Sequence, residues 1–105
     1  MPQEEQPVVT RRVVVREPNG LHMRPAETVA RTATRFQATI TLAQRDHRVD
    51  AKSIFDLITL AAEEGTELDL RAEGPDAEAA AETLAKLFEN KFATPPSPGG
   101  EPPAS

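Results

Sequence analysis

The chain has 105 residues, a formal charge of −5, ten prolines and no cysteine. Its length suits one domain around a single core, with about 85 residues left to fold once the ends are set aside. The negative balance argues against a nucleic-acid partner, and the lack of thiols excludes disulfides, zinc–thiolate centres and cysteine nucleophiles.

Residues 1–7 (MPQEEQP) are polar and acidic, with neither the basic nor the apolar region of a secretory signal; they are expected to be a disordered extension. No apolar run approaches the roughly 20 residues of a membrane helix, so a cytoplasmic chain without membrane insertion is expected. The folded domain is assigned to residues 8–93. The last stretch, 94–105 (TPPSPGGEPPAS), has the Pro/Gly/Ser composition of a disordered tail.

Val8 to Val15 is dense in β-branched residues and predicts a strand, closed by the turn residues Pro18-Asn19-Gly20. Ala26, Val29, Ala30 and Ala33 then fall at helical spacing, with Arg24 and Pro25 in the first turn, where proline is tolerated. Ala38 to Leu42 alternates as a half-buried strand. A turn at Arg45-Asp46 joins it to a short strand over His47 to Ala51. Ser53 is placed as the N-cap of a short helix reaching about Ala62, with Asp56 completing a weak capping box. Leu68, Leu70 and Ala72 mark a fourth strand. Asp76 is expected to cap a last helix with the stripe Ala77, Ala80, Ala81, Leu84, Leu87 and Phe88. The order β-α-β-β-α-β-α, with strands that alternate, predicts an α+β two-layer domain: an antiparallel or mixed sheet covered by helices on one face.

The segment Asn19-Gly20-Leu21-His22-Met23-Arg24-Pro25-Ala26 sets an imidazole at the mouth of a helix, after a glycine turn. Free backbone N–H groups and the positive end of the helix dipole favour an anion there. The guanidinium of Arg24 offers a fork of donors suited to phosphate oxygens. A neutral imidazole is a nucleophile, so a phosphoryl acceptor is one reading. A capping or surface histidine is the other, and these physical arguments do not separate them. His47 reads as a solvated turn residue. Two isolated histidines with no third ligand predict no metal site, and the absence of a Gly-rich nucleotide loop predicts no cofactor.

Gly20 to Ala26 resembles the active-site signature of the HPr family, the histidine-containing phosphocarriers of the phosphoenolpyruvate-dependent phosphotransferase system. Val49-Asp50-Ala51-Lys52-Ser53-Ile54-Phe55-Asp56-Leu57 is similar to the same family's regulatory-serine segment, and the likeness runs from about Val8 to Phe92. The resemblance implies an open-faced sandwich, a four-stranded antiparallel sheet with three helices on one face. It implies that His22 is phosphorylated at Nδ1 by enzyme I, with phosphoenolpyruvate as ultimate donor, and that Arg24 orients and neutralises the phosphoryl group. Asn19, Gly20 and Pro25 would then shape the turn and helix start. Leu21, Met23, Ile54, Phe55 and Ile58 would form an apolar docking surface. Ser53 matches the serine that an ATP-dependent kinase phosphorylates in some bacteria.

The implied partners are enzyme I, sugar-specific enzyme IIA domains or regulatory proteins, and a kinase and phosphatase acting on Ser53. The chain is expected to be a monomer and a phosphoryl carrier with a phosphohistidine intermediate, not a free-standing enzyme. Two alternatives stay open at this point: a regulatory paralogue signalling through His22 or Ser53, and a non-phosphorylated domain whose helix N-terminus binds a small anion.

Overall fold

A computed structural model of the chain describes residues 6–92. The elements follow the expected order: β1 Val8–Val14, α1 Met23–Ala33, β2 Thr39–Gln44, β3 His47–Asp50, α2 Ile54–Thr59, β4 Glu67–Glu73 and α3 Ala77–Glu89. The four strands form one sheet in the order β1-β4-β2-β3, and every pairing is antiparallel. Part of the expected extension (residues 1–5) and the whole expected tail, with Ala93, lie outside the described residues. Pro7, counted with the extension, is tied to the domain: its carbonyl accepts the Gly74 N–H at 3.0 Å.

Period-two patterning decides which face of the sheet is covered. Ile40 and Leu42 of β2 and Leu68, Leu70 and Ala72 of β4 are fully buried, while Thr39, Glu67 and Asp69 between them are exposed. On the wet face Arg12 of β1 pairs with both Asp69 (2.8 Å) and Glu67 (2.7 Å) of β4. The edge strands β1 and β3 carry Arg11, Arg12, Arg48 and Asp50, charges that discourage pairing with another chain.

The three helices cover the other face. α3 packs over β1 and β4, α2 lies beside β3, and α1 packs against both helices. The stripe Ala77, Ala80, Ala81, Leu84, Leu87 and Phe88 is buried, as its spacing predicts. α1 buries Ala26, Val29, Ala30 and Ala33, a mostly small-residue face. Leu57 is the only residue of α2 that is fully inside; burying a leucine contributes about 1.5–3 kcal/mol. Ile54 and Ile58 pack partly against the core beside it, which leaves Phe55 as the exposed apolar residue of this six-residue helix.

Two local expectations are corrected. The helix from Ser53 does not reach Ala62: α2 ends at Thr59, and Ala61 turns left-handed at φ 50°. This releases Ala62 to accept the Leu21 N–H at 2.8 Å, a long-range bond that the periodicity of α2 does not encode. Asp76 stands at the N-cap of α3 but makes no side-chain bond to its own helix. Its carboxylate instead accepts the backbone N–H groups of Gln37 (2.9 Å) and Ala38 (2.8 Å), where the chain enters β2. Those two bonds hold the carboxyl below the ordinary carboxylate pKa, the Gln37 bond contributing most.

Candidate functional site

The site starts at the turn after β1. The Gly20 N–H closes it on the Glu17 carbonyl at 2.8 Å, with Pro18 and Asn19 at the corner. Gly20 has φ +75°, and a Cβ there would stand 2.5 Å from the Ala62 carbonyl oxygen, so only glycine fits. The Leu21 N–H bonds that same oxygen, and the His22 N–H bonds the Gly20 carbonyl at 2.9 Å. The backbone around His22 is therefore fixed on both sides before the helix begins.

His22 is the N-cap of α1, with extended backbone (φ −92°, ψ −165°) and an exposed side chain that makes no capping bond. Its carbonyl accepts the Ala26 N–H at 2.9 Å and so opens the helix. Met23 and Arg24 occupy the first turn and Pro25 follows, lacking an N–H. The N–H groups of Met23 and Arg24 have no hydrogen-bond partner among the described residues and stand free for an anion. No acidic residue lies in that first turn to neutralise it.

His22 and Arg24 line a cleft of about 310 Å³ together with Glu17, Asn19, Pro25, Thr28, Lys91 and Phe92. Among the described residues neither Arg24 nor Lys91 forms an ion pair, whereas Arg12, Arg31, Arg71 and Lys86 all do. A larger hollow of about 490 Å³ opens elsewhere, lined by Arg12, Glu67 and Asp69 among others. There Arg12 is paired with Glu67 and Asp69, Arg45 also lines the hollow, and it holds no histidine or other nucleophile of the kind the sequence singled out. The smaller cleft sets Arg24 and Lys91 against one carboxylate, Glu17, with which neither forms an ion pair.

The expected docking residues separate on burial. Met23 (55% exposed) and Phe55 (76% exposed) project into solvent, and Ile54 and Ile58 are half-buried against the core. Leu21, expected among them, is a correction: it is 3% exposed and belongs to the core, drawn in by the Ala62 bond. A shallow groove of about 350 Å³ between α1 and α2 joins Phe55 and Ile54 to Ala30, Arg31 and Lys52. Ser53 caps α2, its Oγ accepting the Asp56 N–H at 3.2 Å, and is half-buried. The reciprocal half of the capping box is replaced by a bond from the Ser53 N–H to the Asp50 carbonyl. His47, at the start of β3, bonds the Thr59 hydroxyl at the end of α2 at 3.0 Å through Nε2. No group of acidic and histidine side chains among the described residues could hold a metal ion. No helix among them is long and apolar enough to cross a membrane.

Glu17, Thr28, Lys91 and Phe92 at the cleft were not marked by the sequence reading. Lys91 and Phe92 follow the last helix, and nothing in their local pattern indicates that this end returns to the first helix's start.

Comparison with known proteins agrees with this geometry. A family model described as "PTS HPr component phosphorylation site" matches residues 9–90. The phosphocarrier protein HPr of Treponema pallidum is 42% identical over 85 residues, covering 81% of this chain and 97% of the relative. The HPr-like protein Crh of Bacillus subtilis is 41% identical over 84 residues, covering 80% and 99%. The crystal structure of HPr from Thermoanaerobacter tengcongensis superposes with a TM-score of 0.77 at 34% identity, covering 80% of this chain and 94% of that one. With a family match over residues 9–90, relatives near 40% identity and a shared four-stranded open-faced sandwich, the chain belongs to the HPr family of phosphotransferase-system phosphocarriers.

Proposed function

We propose that the chain carries phosphate on His22, receiving it from phosphoenolpyruvate through enzyme I and passing it to downstream phosphotransferase components. The observation that carries the reading is the placement of His22: an exposed, uncapped imidazole at a helix N-terminus, in one cleft with the unpaired guanidinium of Arg24. The Nδ1 lone pair attacks the incoming phosphorus while the bond from phosphorus to the donor's carrying atom breaks and its electron pair stays with the donor, the ring proton of His22 staying on Nε2. The free N–H groups of Met23 and Arg24 and the Arg24 side chain face the charge that arrives. Such transfer is mostly positioning and electrostatics, which His22, Arg24 and the helix N-terminus are placed to supply.

Met23, next to His22 in the chain, and Phe55, on the groove between α1 and α2, are exposed, with Ile54 and Ile58 half-buried against the core. These suit a docking surface that partners use in turn. A shuttle must leave each partner quickly, so weak interfaces and a monomer with a free histidine face go with this reading, as does a cytoplasmic location. The relay can be rebuilt from phosphoenolpyruvate, enzyme I, this chain and an enzyme IIA domain. Labelled phosphate reaches enzyme IIA with the wild type and not with His22→Ala; label arriving equally with both would refute the carrier role.

A second, regulatory role at Ser53 is favoured by its half-exposed hydroxyl two residues from Phe55, and by the likeness to Crh, a relative whose structure is described as a catabolite-repression protein. A kinase and a phosphatase acting there would place about two negative charges beside the docking surface and next to Asp56. Incubating the chain with ATP and the cognate kinase, then comparing wild type with Ser53→Ala by phosphopeptide mapping, tests this; phosphate elsewhere would rule Ser53 out.

A further inference from the structure

α3 ends at Glu89, and the chain then makes an unusual exit. The Lys91 N–H bonds the Phe88 carbonyl at 3.3 Å and the Phe92 N–H bonds the Leu87 carbonyl at 2.7 Å, with Asn90 as the C-cap. This bond pair is the Schellman pattern, whose left-handed position after the cap is normally glycine. Here a lysine takes it, at φ 55°, and Phe92 follows at φ 67°. Left-handed backbone is unfavourable for an L side chain, because its Cβ crowds the following carbonyl oxygen.

Phe92 holds the turn in place. It is 8% exposed and packs edge-on against Phe88, with ring centroids 4.9 Å apart. With that anchor set, Lys91 lines the cleft of His22 and Arg24, exposed and without an ion pair among the described residues. Lys86, one turn earlier, is instead paired with Glu82 at 3.8 Å. Glycine would make the same turn with less strain; what the lysine adds is a charged side chain at the cleft. Two cations without an ion pair among the described residues and a helix N-terminus share this cleft with a single carboxylate, that of Glu17, which leaves a positive excess for an anion to offset.

We propose that Lys91 is a phosphoryl-binding residue: its ammonium meets the phosphoryl group on His22 from the α3 side while Arg24 meets it from the α1 side. This rests on the reading that His22 carries the phosphoryl group. A cation present at the site throughout stabilises the phosphorylated form over the free one. Lys91 therefore shifts the equilibrium of phosphate between enzyme I and this chain toward this chain.

The test uses the full chain as wild type, Lys91→Gly, Lys91→Gln and Lys91→Arg, each equilibrated with phosphoenolpyruvate-charged enzyme I. The readouts are the partition of phosphate, the ³¹P spectrum of the phosphohistidine, and Tm. Lys91→Gly and Lys91→Gln are expected to lower the partition about fivefold, the order of an exposed charge-assisted contact, and to move the ³¹P resonance. Lys91→Arg is expected to restore both. Lys91→Gly should not lower Tm, since glycine suits the left-handed turn. Unchanged partition and resonance in both neutral variants, beside a phosphorylated wild type, would overturn the role of Lys91 alone. A wild type with no phosphohistidine signal would overturn the His22 reading and this inference with it.

Discussion

The carboxylate of Asp76 holds the entrance to β2: Oδ1 accepts the Ala38 N–H at 2.8 Å while Oδ2 accepts that of Gln37 at 2.9 Å. Gly74, two residues earlier, lies so close that a Cβ on it would stand 2.7 Å from the Ala38 Cα. The start of α3 and the start of β2 are thus joined by one carboxylate and one bare backbone position.

Because the carboxyl is held below its ordinary pKa by those N–H bonds, its contribution to stability follows a definite sign. It is fully present above the ordinary carboxylate pKa and is lost as pH falls through the lower, folded value. Asp76→Ala is expected to lower Tm at neutral pH. It should also flatten the loss of stability on acidification below about pH 4. Thermal melts of both proteins across that range check it; parallel acid profiles would show that the carboxylate has no such part.

Gly20→Ala is expected to destabilise the fold by about 1–3 kcal/mol, since the new methyl meets the Ala62 carbonyl and the residue keeps a positive φ. The same shift moves the turn that places His22, so phosphorylation by enzyme I should slow even in the fraction that stays folded. Denaturant melts and initial rates measured together distinguish this from loss of fold alone.

Phe55→Ala should leave stability within about 0.5 kcal/mol, because the ring is 76% exposed. If the ring belongs to the docking surface, KM for enzyme I rises about tenfold with kcat little changed. Leu57→Ala, two residues along on the core side of the same helix, is the contrasting variant: a fully buried side chain whose removal costs about 2–5 kcal/mol.

Ser53→Asp places a fixed charge at the cap of α2, next to Asp56 and two residues from Phe55. Phosphotransfer from enzyme I is expected to slow about tenfold through like-charge repulsion at the interface. Ser53→Asn keeps a capping oxygen without charge and should transfer normally. Equal slowing in both variants would point to the cap and not to charge.

The elements were legible because their signals are local. The spacing of Ala26, Val29, Ala30 and Ala33, the alternation in β4, and the Arg45-Asp46 turn each need only a few neighbouring residues to be read. What escaped depends on partners far along the chain. Leu21 is inside because Ala62 takes its N–H, α2 stops early so that Ala62 can do so, and Asp76 leaves its own helix for Gln37 and Ala38. The site divides in the same way. His22 and Arg24 stand in one motif, whereas Lys91 reaches the cleft only because Phe92 folds back on Phe88.

The most direct measurement of the central claim is intact mass after incubation with phosphoenolpyruvate and a cognate enzyme I, comparing wild type with His22→Ala. A single acid-labile phosphoryl adduct on the wild type and none on the variant is the predicted result. No adduct on the wild type, or an equal adduct on both, would contradict the assignment of the phosphoryl group to His22.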